Sequence, residues 1–239
     1  MKKTIVVISL LIIAQYGNAQ GILDKISSTV KSVTQNNSSL SAEEIVSGLK
    51  EALTNGVDSS TKKLGSVDGF FKDAALKILM PSEVKKVESS LRKFGMGSLV
   101  DKAILSMNRA AEDAASGVGV IFIDAIKNMT ITDGFKILKG GDTAATVFLK
   151  ENTTKSLTEK MRPVIEKSLS KVDATSHWKD VFTAYNKISR TKVNTDLAGY
   201  VTTKAMDGIF YSIAIEEKKI RKDPAAQGSA LLKKVFEKN

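Results

Sequence analysis

The stretch that decides the fold is SMNRAAEDAASGVGVIFIDAIKNMTITDGFKILKGGDTAAT, residues 106–146. Its alanines recur at helical spacing, which indicates closely packed helices because small side chains let backbones approach one another. Residues 120–123 (VIFI) also fit a buried strand, but the chain offers no second strand candidate to pair with them. We therefore predict a buried helix over residues 118–129 and an all-α fold.

Threonines and glycines divide the end of this stretch into separate helices. Thr130 or Thr132 is predicted to cap a short helix over residues 133–139, which Gly140-Gly141 ends. Asp142 is then predicted to cap the next helix with its carboxylate.

The pattern beyond Asp142 predicts two helices in succession. The first covers residues 143–151 and the second residues 156–172, with Asn152-Thr153-Thr154 between them. Pro163 lies inside the second helix, where it removes one backbone hydrogen bond. It should therefore kink the helix or begin a new turn.

Capping signals and apolar stripes predict further helices on both sides. Ser41 and Glu44 form a capping box at the start of the first one. The predicted helices cover residues 41–64, 81–94, 98–114, 177–188, 195–222 and 226–236, and a loop covers 67–80. Together these elements predict an irregular multi-helix domain of about nine to eleven helices.

Two of these helices have apolar faces that we expect to point inward. In helix 81–94 the inward set is Val84, Val87, Leu91 and Phe94. In helix 98–114, which Ser98 is predicted to cap, the inward set is Leu99, Ala103, Met107, Ala110 and Ala114.

The beginning of the chain has the three parts of a secretory signal. Lys2 and Lys3 precede the apolar run IVVISLLIIA, and Gly17-Asn18-Ala19 places small residues where a signal peptidase cuts. We predict a signal peptide over 1–19, a short amphipathic helix and polar linker over 20–40, and a single α-helical domain over 41–239. The protein is then periplasmic or secreted, and the apolar run is too short for a membrane span.

Composition excludes several chemistries. The chain has no cysteine, which rules out disulfides, thiolate metal sites, a cysteine nucleophile and attachment of a lipid to a lipoprotein cysteine. Its one histidine, His177, cannot form a zinc site alone, and no Gly-x-Ser-x-Gly elbow accompanies it. The turn at Gly140-Gly141 lacks the lysine of a phosphate loop. We expect no metal and no cofactor.

The formal charge is +10, or about +8 without Lys2 and Lys3, and it favours contact with anionic surfaces. Most of the lysines are mixed with acids, as on solvated helix faces. The tail from residue 216 is more basic, and a solvated helix face is its first interpretation. The second is contact with an anionic envelope component through Lys218, Lys219, Arg221 and Lys222. Nucleic acid is a poor fit because aromatic residues for base stacking are missing nearby.

Carboxylates are the remaining candidates for a site. Arg109 and Glu112 are helical i, i+3 neighbours, so the first interpretation is a partly buried polar network and the second is a catalytic pair. The predicted set of polar residues is Asn108, Arg109, Glu112, Asp124, Asp142 and Asp207. No catalytic residue is assigned.

Six segments carry a resemblance to a known family. They are SMNRAAE (106–112), DAIKNMT (124–130), ILKGGDTAAT (137–146), LTEKMRPVIEKSL (157–169), DGIFY (207–211) and EEKKIRKDPAA (216–226). In this order they resemble the bacterial family catalogued as domain of unknown function 4197, over roughly residues 40–236. The resemblance implies an exported, mainly helical protein, and it implies no activity, cofactor or catalytic residue.

Three functions follow as expectations. The first is a non-enzymatic binding or envelope-structural protein, since no catalytic constellation is assembled in the sequence. The second is a carboxylate-dependent hydrolase acting on envelope polymers. The third is a binder of a small amphiphile, which requires a sizeable apolar cavity between helices.

Overall fold

A computed structural model describes residues 41–171, 186, 192 and 195–224. Within these residues the protein is all-α, with no strand. The helices are α1 (Ala42–Leu64), α2 (Lys85–Lys93), α3 (Gly97–Ala115), α4 (Gly119–Lys127), α5 (Ile131–Lys139), α6 (Ala144–Leu169) and α7 (Leu197–Lys222), with a single 3-10 turn over Ser82–Val84 before α2.

The chain divides into a unit of residues 1–46 and a unit of residues 47–239. The described part of the first unit is residues 41–46, where the predicted capping box is present. The backbone N–H of Glu44 donates to Ser41 Oγ, and that of Ser41 donates to Glu44 Oε2. The signal peptide, the helix and linker over 20–40, and the helices 177–188 and 226–236 lie outside the described residues, so the total of nine to eleven helices stays a prediction.

Helix α6 lies at the centre of the second unit and packs against α3, α4, α5 and α7. Its inward residues are fully buried at helical spacing, and they are Leu149, Leu157, Met161 and Ile165. Inward apolar residues along its whole length hold α6 in the core, so the charged residues and Pro163 between them still belong to one helix. The helices that carry the buried polar groups, α3 and α7, both pack against α6.

The predicted break at Asn152-Thr153-Thr154 is wrong. Helix α6 runs through these residues and through Pro163 without interruption. The hydroxyl of Thr153 donates to the carbonyl of Leu149 one turn earlier. This hydrogen bond satisfies the Thr153 side chain inside the helix, although threonine often lies at helix ends. Burial of Thr153 in the core then favours the continuous helix.

Residues 119–127 form helix α4, which confirms the prediction of a helix rather than a strand in this region. Phe122 and Ile126 of α4 are fully buried, and the Phe122 ring meets Phe210 edge to face at 5.8 Å. Thr130 caps α5, and its hydroxyl and Asp133 form a reciprocal capping box. Asp196 caps α7 by accepting from the backbone N–H of Gly199.

The corner between α2 and α3 differs from the predicted pattern. Phe94 and Leu99 are exposed, so their predicted inward orientation is wrong. Ser98 is not the cap of α3, which begins at Gly97 without a capping side chain. Ala103, Met107, Ala110 and Ala114 are buried as predicted.

Among the described residues, no single helix has the length and apolar content to cross a bilayer. Gly97–Lys127 taken together with Ile131–Lys139 meets those criteria only as a pair bent by 104°.

Candidate functional site

Glu112 on α3 is a buried carboxylate that binds the loop before α2. Its side chain is almost fully buried, and Oε1 accepts from the backbone N–H groups of Phe70 and Phe71, each at 3.1 Å. Oε2 accepts from Arg109 Nη1 at 2.5 Å, one helical turn away. A carboxylate accepting two backbone donors and one guanidinium donor has little capacity left for a ligand.

Arg109 connects the same loop a second time. Its Nη2 donates to Asp68 Oδ1 at 2.7 Å, and its side chain is 36% exposed. Hydrogen bonds from Lys72 and then from Arg109 hold the pKa of Asp68 below its ordinary value. Asp68 has a positive φ of 70°, a conformation that aspartate tolerates better than most residues.

Asn108 binds the far end of this loop. Its Oδ1 accepts from the backbone N–H of Ile78 at 2.9 Å, and its Nδ2 donates to the Ile78 carbonyl at 2.8 Å. Nδ2 also donates to the carbonyl of Ile104 within α3. Three residues of the predicted set thus attach one irregular loop, residues 65–81, to α3.

Glu217 on α7 has the same arrangement at another place. Its two carboxylate oxygens accept from the backbone N–H groups of Ala145 and Thr146, each at 2.9 Å. Oε2 also accepts from the Thr146 hydroxyl, and Oε1 from Arg221 Nη2 at 2.9 Å. A buried carboxylate from α7 therefore caps the first turn of α6, where unpaired N–H groups and the helix dipole favour negative charge.

The predicted cap at Asp142 is therefore wrong. Thr143 occupies the N-cap position without a side-chain hydrogen bond, and Asp142 is exposed. Asp207, the last of the predicted set on α7, is also exposed and lies 3.8 Å from Lys204. The structure does not bring Asp142 or Asp207 to the group at Asn108, Arg109 and Glu112.

The basic residues at the end of α7 are of two kinds, one largely buried arginine and three exposed lysines. Arg221 is only 15% exposed, because its guanidinium pairs with Glu217 and donates to the carbonyl of Ile137 at 2.7 Å. Lys218, Lys219 and Lys222 are exposed, and Lys219 lies 2.8 Å from Glu216. The predicted contact with an anionic envelope component would depend on these three lysines.

Asp124 lies in a cleft formed by α4, α5 and the first half of α6. The cleft has a volume of about 470 Å³ and opens to solvent. Its lining is Val120, Ile121, Asp124, Ala125, Asn128, Asp133, Phe148, Asn152 and Ser156. Within the described residues the side chains of Asp124, Asn128 and Ser156 have no hydrogen-bond partner, and all three are exposed, so their polar atoms are available to a ligand or to solvent.

The second carboxylate of the cleft, Asp133, is already bound. Its Oδ2 accepts from the Thr130 hydroxyl at 2.7 Å and from the Thr130 backbone N–H at 3.1 Å. These hydrogen bonds hold the pKa of Asp133 below its ordinary value. Asp133 is thus a stable acceptor and is poorly suited to donate a proton near neutral pH.

The sequence had weak signals for these arrangements. Glu217 and Arg221 have the i, i+4 spacing of a helical ion pair, but that spacing does not show which backbone the carboxylate meets. Asn128, Asn152 and Ser156 were not predicted as site residues, because only the packing of α4 against α6 brings Asn128 into one cleft with Asn152 and Ser156. In the part of the chain that the structure describes, no cluster of three or more metal-ligating side chains occurs.

A comparison with known protein families identifies the family of this chain. The family described as "Protein of unknown function (DUF4197)" matches residues 39–237. No curated protein and no solved structure matches the chain. Because the family match covers most of the 239 residues, the chain belongs to the DUF4197 family.

Proposed function

We propose that this protein is an exported, non-enzymatic binding protein whose site is the cleft around Asp124. One observation carries the proposal: Asp124, Asn128 and Ser156 line one open cleft and none of them has a hydrogen-bond partner within the described residues. The polar groups at Glu112 and Glu217, by contrast, are used internally. Binding sites characteristically combine an apolar floor with a few convergent polar groups.

The lining of the cleft favours an uncharged, hydroxyl-rich ligand such as a saccharide chain. Asp124 accepts hydrogen bonds, Asn128 both donates and accepts, and Ser156 does the same. Saccharide hydroxyls offer donors and acceptors in the same mixture. Ile121, Ala125 and Phe148 supply apolar area for the C–H faces of a sugar ring. The lining contains carboxylates but no lysine or arginine, which disfavours an anionic ligand.

Hydrolysis is the second candidate because Asp124 and Asp133 line the same cleft. A glycosidase needs one carboxylic acid that stays protonated to donate to the leaving group. Hydrogen bonds from Thr130 lower the pKa of Asp133, which opposes this role. Binding of a small amphiphile is disfavoured, because the clefts at Asp124 and at Tyr200 are open and partly polar.

Export to the periplasm or the exterior is part of the proposal, and its support is the signal-like segment 1–19. In that compartment envelope glycans are the abundant hydroxyl-rich polymers. Cleft and compartment therefore point to the same ligand class.

Calorimetric titration with uncharged envelope oligosaccharides tests the proposal. We expect binding that Asp124→Ala and Asn128→Ala each weaken about tenfold, as for loss of a buried hydrogen bond. Asp142→Ala removes an exposed carboxylate outside the cleft and is the matched control.

Chain-length analysis of the same oligosaccharides separates binding from hydrolysis. Unchanged lengths after long incubation support a binding protein, and new reducing ends that disappear in Asp124→Asn would establish the hydrolase instead. Absence of binding across the panel, or equal weakening in Asp142→Ala, would contradict the proposed site.

A further inference from the structure

The corner that joins α2 to α3 exposes three large apolar side chains together. Phe94 is 78% exposed, Met96 43% and Leu99 44%. They lie within six residues of one another at the turn between two helices, and we call them the apolar tip. Single exposed hydrophobic residues are ordinary on protein surfaces, but a contiguous group commonly marks an interaction site.

Backbone hydrogen bonds fix this exposure. The N–H of Gly95 donates to the carbonyl of Arg92 at 3.2 Å, and that of Met96 donates to the carbonyl of Leu91 at 2.9 Å. With a φ of 78° at Gly95, this is a Schellman motif that ends α2. Phe94 and Met96 flank the glycine of this regular helix end, and both are exposed there.

An ion-pair bridge braces the two helices behind the tip. Arg92 on α2 donates to Glu88 at 3.0 Å on its own helix and lies 2.8 Å from Asp101 on α3. These hydrogen bonds and charges raise the pKa of the Arg92 guanidinium, Asp101 contributing most. One guanidinium offsets only one of these two carboxylate charges, so attraction of an anion to the tip depends on the neighbouring lysines.

Lysines surround the apolar tip. Residues 83–102 contain five basic and three acidic residues, which leaves the segment a net charge of +2. Lys93 precedes Phe94, and Lys102 is one turn beyond Leu99 on the same face of α3. Lys86 lies two turns before Lys93 on α2. None of these three lysines has an ion-pair partner within the described residues.

We propose that the apolar tip and its lysines bind the surface of a bilayer that contains anionic lipids. Apolar side chains with adjacent lysines suit the boundary between lipid headgroups and acyl chains, where burial and attraction to anionic headgroups act together. Three side chains are too few for a specific protein interface, which takes about 20–30 residues on each side. Helix α2 also has no fully buried residue, so the corner is free to enter an interface.

Co-sedimentation of the full exported chain with vesicles tests this directly. We expect binding to mixed phosphatidylglycerol–phosphatidylcholine vesicles, weak binding to phosphatidylcholine alone, and release by salt. Phe94→Asp should weaken binding at least tenfold. Neutralising Lys93 or Lys102 as Lys→Gln should weaken it about fivefold each, as expected for one lysine near an anionic surface.

Matched variants elsewhere on the protein are the controls. Val147→Asp introduces the same charge at an apolar residue that is 51% exposed on α6, and Lys160→Gln removes an exposed lysine. Both should bind vesicles as the unchanged protein does. All of these positions are exposed, so circular dichroism should show unchanged folding.

Two results would overturn the proposal. The first is full vesicle binding by the combined Phe94→Asp, Lys93→Gln and Lys102→Gln variant, which would place the contact elsewhere. The second is vesicle-free association of the protein that Phe94→Asp abolishes, which would assign the tip to a second copy of the chain. Neither result bears on saccharide binding at Asp124, so the two proposals fail separately.

Discussion

Two buried glutamates perform the same task in this protein. Glu112 and Glu217 each accept from two consecutive backbone N–H groups of a distant segment, and each pairs with an arginine on its own helix. The arginines are Arg109 and Arg221. A buried carboxylate is costly unless it is paired and hydrogen-bonded, and both conditions are met here.

The two partners of the first pair should differ in their effect on stability. Glu112→Ala leaves the N–H groups of Phe70 and Phe71 and the Arg109 guanidinium without an acceptor, and should lower the free energy of unfolding by about 3–5 kcal/mol. Arg109→Ala should lower it by about 1–3 kcal/mol, because Arg109 is 36% exposed and solvent screens its charge.

Urea unfolding followed by circular dichroism measures both changes. Exposed Asp113 is adjacent to Glu112 and accepts one hydrogen bond, from Ser168, so Asp113→Ala is the control for loss of a single exposed carboxylate and should cost about 1 kcal/mol. Equal losses for Glu112→Ala and Arg109→Ala would show that the ion pair matters more than the backbone N–H groups.

At the scale of elements, helix ends depend on distant partners to different degrees. The capping boxes at α1 and α5 are local, since a threonine or serine and an acid three residues later complete them. Helix α6 instead receives its cap from α7, 72 residues away in sequence. Its first turn is therefore stable only when α7 is docked.

Glu217→Ala should destabilise α6 and its contact with α7 together. The backbone N–H groups of Ala145 and Thr146 lose their acceptor, and Arg221 loses its buried partner. We expect the free energy of unfolding to fall by about 3–5 kcal/mol. Hydrogen exchange of the first turn of α6 should accelerate in the same variant.

Glu216→Ala is the matched control for this prediction. Glu216 is the preceding residue on α7 and pairs with Lys219 at the surface, so its loss should cost about 0–1 kcal/mol. Unchanged exchange at Ala145 and Thr146 in Glu217→Ala would disprove the cap from α7.

The contribution of the α5 capping box to the stability of the fold should depend on pH. The pKa of Asp133 is lowered from an ordinary value of 3.8, so the folded state binds this proton less readily than the unfolded state. The contribution of Asp133 is therefore present above 3.8 and is lost as the pH falls through its lower folded pKa. At neutral pH we expect Asp133→Ala to cost about 1 kcal/mol.

Unfolding of the protein and of Asp133→Ala at neutral and strongly acid pH measures this dependence. The difference between the two should shrink as Asp133 is protonated. Thr130→Ala removes the hydroxyl donor, which is the largest cause of the lowered pKa of Asp133, and leaves the backbone N–H of residue 130 in place. Combining both changes should therefore cost little more than Asp133→Ala alone. A difference that stays constant down to strongly acid pH would contradict this account.

At the scale of the whole molecule, α6 organises the helices that carry both proposed surfaces. The cleft around Asp124 is formed where α4 and α5 meet α6, and the apolar tip lies at the start of α3, which also packs against α6. The two surfaces are built from different elements and can be altered independently.

Export is the prediction that belongs to the whole chain. If residues 1–19 are a cleaved signal, mass spectrometry of the protein recovered from outside the cytoplasm should find Gln20 at the N-terminus. Retention of Met1 in that fraction would contradict cleavage. Replacing Ala19 with a bulky residue should then slow processing, because signal peptidases need a small residue there.

The sequence alone determined the helical class and several helix ends. The lack of a second strand candidate predicted a helix over residues 118–129, and the structure has one over 119–127. Thr130, one of the two predicted caps, begins α5 through local side-chain chemistry. These features depend on residues within one or two turns of each other. For the same reason a sequence pattern can show them.

Only the tertiary structure decided how the polar residues are used. Asp142 looked like the cap of α6, but Glu217 takes that role because docking of α7 brings its carboxylate to the first turn. Phe94 looked like a core residue, but it lies exposed at the end of α2. Asp124 and Asn128 share a helix face by their i, i+4 spacing, but Ser156 joins their cleft only because α4 packs against α6. Helical periodicity carries no information about such contacts between distant segments.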